Sequence, residues 1–388
     1  ENKTLGYSGA AVNLGAKTLT MSGKGSFNNT NALVLNNASS KLLLDNTTTV
    51  GSVSTSANNS GVDVNKSSTI TTLAVGHTTP VSIASGKTLS GGITVTGGSI
   101  KLGETGTLAS TVSMSGGTLD ADNNLTLSGA LSQSGNITID VAETKTLTYE
   151  GSTIEIGSSA LSFVGGGNFT NTNPLELDQE QSQLNLSGIT ASYIRTKSNS
   201  LGITVDNSST VNELLVRHVT PVSIYPNQSL SGSFKIYQNS NLQLNNTGTL
   251  AANVAISGLG GKVEAQKSMT FSGSLQQVDQ HEGFELLIAS GKTMTYSGSE
   301  FGIGDHTFKL SGGGTFNNAN NLTLNNSGSK LAISESTKIS HLLVSASNTN
   351  GGMTISSSGS SSTGNLVENL TLSDSFYVSS DVAWAAGN

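Results

Sequence analysis

GSFNNTNALVLNNASSKLLLD at residues 25–45 returns almost unchanged as GTFNNANNLTLNNSGSKLAIS at residues 314–334. A third, more divergent copy, GNFTNTNPLELDQEQSQLNLS, fills residues 167–187. Three copies exclude chance, and their phenylalanines, Phe27, Phe169 and Phe316, lie 142 and 147 residues apart. Repetition on a fixed period marks a repeat architecture, so the phrase has to be read as a structural unit.

Inside the phrase the apolar residues come as couplets two residues apart: Leu33 and Leu35, then Leu42 and Leu44. Two is the period of a strand with one buried face. The same couplets run through KTLTM, GVDVN, GITVT, SIKLG and NLTLS, with Gly, Asn, Ser and Asp between them as turn material. No segment holds helical spacing over ten residues, so almost no helix is expected.

The long repeat extends beyond the opening phrase. Val12 and Leu14 correspond to Ile154 and Ile156 and to Phe301 and Ile303; Leu19 and Met21 correspond to Leu161 and Phe163 and to Phe308 and Leu310. Tyr7, Tyr149 and Tyr296 also match, as do HTTPVSI from His77 and HVTPVSI from His218. The apolar pairs hold while the polar residues drift, as inward-facing positions should. This divides the chain into superrepeats at 1–142 and 143–289 and an incomplete third at 290–388, read as one continuous rod.

A finer beat is present as well. Val12, Leu33, Val53, Leu73 and Ile93 recur at about 20 residues, the length of one coil of a β-solenoid. A hairpin meander would need Asn-Gly or Asp-Gly turns, and these are scarce. The expected fold is therefore all-β: a right-handed parallel β-helix in which each short strand pairs with its equivalent one coil on, at roughly 4.8 Å. On that basis 388 residues make on the order of 19 coils and a rod of roughly 90 Å, with about seven coils per superrepeat. Corner phrases such as FNNTN, LNNAS and LNNSG are expected to stack on identical residues as side-chain ladders.

Composition agrees with this and narrows the function. Charged residues are 11%, aromatics 5%, Gly 46 and Pro 4, with a hydrophobic share of 34%. A thin apolar line per coil accounts for the low hydrophobicity. The net charge is −7, and Lys and Arg form no run, so nucleic acid is not an expected partner. No stretch of 18 apolar residues is present, so no membrane insertion is expected of this segment. Cys is absent, which excludes disulfides and thiolate metal sites. The chain opens at Glu1 in a phrase matching Glu143–Leu147 and closes at DVAWAAGN part-way through the third block, so it reads as a segment of something longer.

Residues that carry chemistry are sparse. Polysaccharide-acting β-helices need clustered carboxylates on adjacent coils; here Asp120, Asp122 and Asp140 are placed to fall on neighbouring coils, but the only arginines are Arg195 and Arg217. His77 and His218 match across repeats, yet about seven coils at ~4.8 Å would separate them by more than ~30 Å, too far for a shared metal. His281, His306 and His341 lack ligand spacing and read as surface or corner residues. Calcium-binding G-G-x-G-x-D is absent from SGGGTF. Asn-x-Ser/Thr triplets at Asn28, Asn37, Asn46, Asn65, Asn124, Asn136, Asn168, Asn207, Asn321 and Asn369 follow from a composition rich in those residues. Thr-x-Thr pairs at Thr18/Thr20, Thr94/Thr96 and Thr146/Thr148 do not recur once per coil and read as outward strand residues. No catalytic, cofactor-binding or metal-ligating residue is nominated, and no cofactor.

The N-x-L-x-L phrases, SGGGTFNN from Ser311, NNLTLSGAL from Asn123 and SGGTL at Ser115–Leu119 resemble the β-helical passenger regions of type V secreted bacterial surface proteins, the autotransporters and filamentous-haemagglutinin-like adhesins. The resemblance covers the whole chain. It implies a right-handed parallel β-helix, an extracellular place on the bacterial cell surface, and roles in adhesion, biofilm or sheath formation. The combined expectation is a non-enzymatic stalk, fibre or sheath element that self-associates end to end or laterally and meets surface glycans of host or neighbouring cells. The alternatives are a glycan- or ice-binding module, or a polysaccharide lyase, hydrolase or tailspike.

Overall fold

A computed structural model describes residues 3–278, 283–335, 337–346, 348–356, 367–372 and 376–380. The described residues contain strands and turns and no helix. They form parallel β-solenoid coils, about 16 turns of about 21 residues in all. Two compact units divide at Tyr193 and Ile194.

In the first unit a coil has three flat runs. One is Lys41–Leu44; the next two belong to the single strand Thr48–Thr55, which bends at Gly51. Elsewhere the bend cuts that strand in two, as in Gly25–Asn29 followed by Leu33–Leu35. Each run pairs in parallel with its equivalent one coil on. On the first face Leu19 registers with Leu42, Leu42 with Val62, and Val62 with Val81. On the second face Phe27 registers with Val50 and Val50 with Ile70; on the third, Leu33 with Val53, Leu73 and Ile93 in succession. Because side chains alternate, both members of each couplet, two residues apart, point inward, and Leu42, Leu44, Val50 and Val53 are fully buried. Burying each such side chain contributes roughly 1.5–3 kcal/mol.

The second unit repeats the plan. Leu242, Val263, Leu286, Leu310 and Ile333 form its first-face column. Leu250, Phe271 and Tyr296 lie on the second face, and Phe234, Val254 and Leu275 on the third.

The coil step measured from register partners runs from 19 residues, Val62 to Val81, to 28, Ile339 to Val367. Longer corners therefore reduce the expected 19 turns to about 16. Within the first unit, the second-face strands step from Lys3–Tyr7 through Gly25–Asn29, Thr48–Thr55, Ser68–Val75, Thr88–Val95, Thr107–Leu108 and Leu125–Leu127 to Thr146–Tyr149. These are seven coil steps, the number expected for one superrepeat.

Candidate functional site

Three corners return in every copy of the block, and each is a hydrogen-bonding device. At the first, Tyr7, Tyr149 and Tyr296 donate their hydroxyls to the carbonyls of Ala10, Ser152 and Ser299, at 2.9, 2.7 and 3.0 Å. Each ring then meets the phenylalanine one coil on, Tyr7 with Phe27, Tyr149 with Phe169 and Tyr296 with Phe316, with centroids 6.4, 6.1 and 5.6 Å apart. Burial raises the Tyr149 and Tyr296 pKa values above the ordinary phenol range.

At the second corner an Asn-x-Asn pair bonds in both directions. Asn171 Nδ2 donates to the carbonyls of Asn173 and Tyr193, both at 2.8 Å, while its Oδ1 accepts the Tyr193 N–H at 3.1 Å. Asn29 does the same with Asn31 and Ser52, and Asn318 with Asn320 and His341. The second asparagine of each pair reaches back one coil: Asn31 to Gly9, Asn173 to Gly151 and Asn320 to Gly298.

At the third corner Gly15, Gly157 and Gly304 take φ of 56°, 64° and 67°, a left-handed conformation that favours glycine. Their N–H groups donate at 2.8 Å to Asn36, Asp178 and Asn325 one coil on. Their carbonyls accept from the buried hydroxyls of Ser40, Ser182 and Ser329.

These asparagines and serines therefore bond to the backbone of neighbouring coils, not to copies of themselves. The expected ladder of identical corner residues is corrected in that respect. The physical reason is that the chain bends out of strand geometry at a corner, and amide and hydroxyl groups there satisfy backbone groups that strand pairing cannot reach. Several Asn-x-Ser/Thr asparagines serve the same purpose: Asn46 donates to Ser22 O, Asn124 accepts from Thr146 N and Asn136 accepts from Ala160 N.

The outward side of the first face carries the charge. Lys101, Asp120 and Asp140 are register partners on successive coils, so two of the three expected aspartates do stack. Lys101 Nζ lies 3.0 Å from Asp120, whose side chain is 14% exposed against 42% for the lysine. Both pKa values of the pair rise, which favours the charged lysine and disfavours the charged carboxylate. The hydrogen bond to Asp120 raises the Lys101 pKa, whereas burial raises that of Asp120 against the same hydrogen bond. Desolvation governs the carboxyl because it is the more buried partner.

In the second unit Asn241, Lys262, Glu285 and Lys309 form a like column. Lys262 lies 3.0 Å from Glu264 and Lys309 lies 3.0 Å from Glu285. Burial works against ionisation of both glutamates. Hydrogen bonds from Asn241 and Lys262 to Glu264, and from Ser311 and Lys309 to Glu285, outweigh it and lower both pKa values.

The outward side of the second face is different. Thr88, Thr107, Thr126, Thr148 and Thr170 stack in one unbroken register column. Sequence reading missed this because it sought Thr-x-Thr pairs, which the structure divides among faces: Thr18 and Thr20 on the first, Thr94 on the third, and Thr146 and Thr148 on the second. The signal was a single threonine directly before an inward Leu, Tyr or Asn. Ser229, Thr249, Thr270 and Thr295 make the equivalent column in the second unit.

The histidines are not gathered. His77 and His218 occupy the same corner of their respective units, and their carbonyls accept from Thr79 and Thr220. The carbonyls of His306 and His341 likewise accept, from Lys330 N and from Asn318; His281 lies outside the described residues. Among the described residues no three His, Cys, Asp or Glu side chains group to hold a metal ion. Arg217 instead sits over the ring of Tyr237, 4.8 Å from its centroid, with Lys235 Nζ at 5.1 Å. Comparison with protein-family models, curated proteins and solved structures gave no match to this chain.

Proposed function

We propose that the chain is a structural segment of a long extracellular surface protein, a stalk, fibre or sheath element whose work is mechanical reach in adhesion or cell-to-cell contact. The observation that carries this reading is the identity of what the copied blocks retain. Tyr-x-Gly, Asn-x-Asn and the Gly and Ser of the third corner all join one coil to the next, while outward residues of the first face differ between copies, as Lys101 and Asp140 against Gln243 and Leu287. A block kept for coil-to-coil joining suits a protein that gains length by duplication. The bacterial cell surface, self-association of rods and contact with surface glycans belong to the same proposal, as does the absence of catalysis.

Electron microscopy of the native full-length protein on its cells tests it. Thin continuous filaments with a ~4.8 Å axial repeat are expected; compact particles without that repeat would overturn the reading. The threonine column supports a second reading, a glycan- or ice-binding module. Thermal hysteresis of the purified chain above that of an inert protein at equal concentration would favour its ice-binding form.

A further inference from the structure

The first unit has a groove running across four coils where its first face turns into its second, with a volume of about 440 Å³. Its wall is a register column of hydroxyl residues, Ser26, Thr49, Thr69 and Ser90, and Thr47 and Ser67 line its margin. Every lining residue is Gly, Ser or Thr. The hydroxyls are held in order: Thr69 Oγ1 and Ser90 Oγ are 2.7 Å apart, and Ser67 Oγ accepts the Thr88 N–H at 3.1 Å. One hydroxyl residue per coil repeats at ~4.8 Å along the groove.

Charge distinguishes this place from the rest of the molecule. Residues 1–101 contain seven lysines against Glu1, Asp45 and Asp63, a net +4; residues 102–388 contain 11 basic and 22 acidic residues, a net −11. Three of the seven lysines, Lys24, Lys66 and Lys87, come immediately before the groove residues Gly25, Ser67 and Thr88. Lys41 and Lys101 are paired with Asp63 and Asp120 on the first face, whereas Lys66 and Lys87 form no ion pair among the described residues. An acidic chain thus places two lysines without an ion pair, Lys66 and Lys87, next in sequence to residues of a groove whose lining has hydroxyls and no carboxylate. The complementary ligand is an extended polymer with its own hydroxyls and regular negative charge.

We propose that this groove binds an acidic polysaccharide, its anionic groups against these lysines and its hydroxyls against the Ser/Thr wall. The inference rests on the glycan contact proposed above, to which it gives a site and a class of glycan, and it does not depend on the mechanical reading. Binding is measured on the dispersed chain, so absence of filaments and absence of binding are separate results.

The test is equilibrium binding of the 388-residue chain to polygalacturonate, dextran sulfate and neutral dextran, at low and high NaCl. Binding of both polyanions, at least ~10-fold tighter than neutral dextran and weakening as salt screens the lysines, is expected. K24Q/K66Q/K87Q should bind roughly 10-fold more weakly, while K145Q/K292Q/K338Q stays within about twofold. T49V/T69V keeps β-branched residues on the strands and the charge unchanged, and should weaken polygalacturonate binding by about fivefold. Equal loss in the two lysine triples would mean diffuse attraction and overturn the site. So would unchanged binding by a folded T49V/T69V, equal affinity for neutral dextran, or no binding of either polyanion.

Discussion

Replacing Asn171 by alanine isolates the corner device from everything else in the first unit. The side chain is 7% exposed and makes three hydrogen bonds, at 2.8, 2.8 and 3.1 Å, to Asn173 O, Tyr193 O and Tyr193 N. At a net ~1 kcal/mol each, their loss costs about 3 kcal/mol, and the freed groups lie in a corner where strand pairing gives no substitute. Since 1.36 kcal/mol is a factor of ten, the local opening equilibrium rises roughly 150-fold. A long repeat array need not unfold in one step, so hydrogen exchange of the peptide covering residues 190–196 is the right assay. Asn171→Asp sharpens it. The carboxylate still accepts the Tyr193 N–H but sets negative charge against two carbonyls, so at neutral pH it should protect no better than alanine. Once protonated at acid pH the carboxyl can donate one bond, and protection should return in part. Asn65→Ala, an exposed residue with one 3.1 Å bond to Asp45, should change exchange by less than about 0.5 kcal/mol. Unchanged exchange at 190–196 in folded Asn171→Ala, or full protection in Asn171→Asp at neutral pH, would refute the account.

Gly157→Ala meets open space, so its cost is the left-handed conformation alone, about 1–2 kcal/mol. A Cβ on Gly232 would lie 1.6 Å from the Val211 carbonyl oxygen, beside the β-bulge between Val211 and Glu213, so Gly232→Ala should lower the thermal midpoint far more; equal midpoints would contradict the packing at that bulge. The two charged columns should answer acid oppositely. The lowered pKa values of Glu264 and Glu285 mean that their contribution is present above the ordinary 4.5 and lost as pH falls through the folded-state values. The raised pKa of Asp120 means that an unfavourable burial at neutral pH is relieved as pH falls through it. Exchange between pH 6 and pH 3 should therefore rise at residues 262–288, relative to the intrinsic rate, and not at 118–122; the reverse ordering would contradict these assignments. Deleting residues 8–149 joins Tyr7 to Glu150 at an equivalent corner, and circular dichroism should show a shorter, folded β protein. Loss of the β signal would count against interchangeable blocks.

Period-2 couplets such as Leu33/Leu35 and Leu42/Leu44 determined which side of their strands turns inward, and the 142- and 147-residue returns marked the copied phrase, because both depend on residues close in sequence or copied whole. Leu33, Leu35, Leu42 and Leu44 are buried where their spacing places them. What the sequence left undetermined is which outward residue stands over which. Coil steps vary from 19 to 28 residues, so a fixed period drifts by several residues within a few coils. Only the tertiary register brings Lys101 over Asp120 and Asp140, aligns Thr88 with Thr107, Thr126, Thr148 and Thr170, and gathers Ser26, Thr49, Thr69 and Ser90 into one groove wall. The corner asparagines show the same division. Their type announced a bend, but their hydrogen-bond partners lie about 22 residues away on another coil, and that choice is made by how each corner's length sets the stacking of one coil on the next.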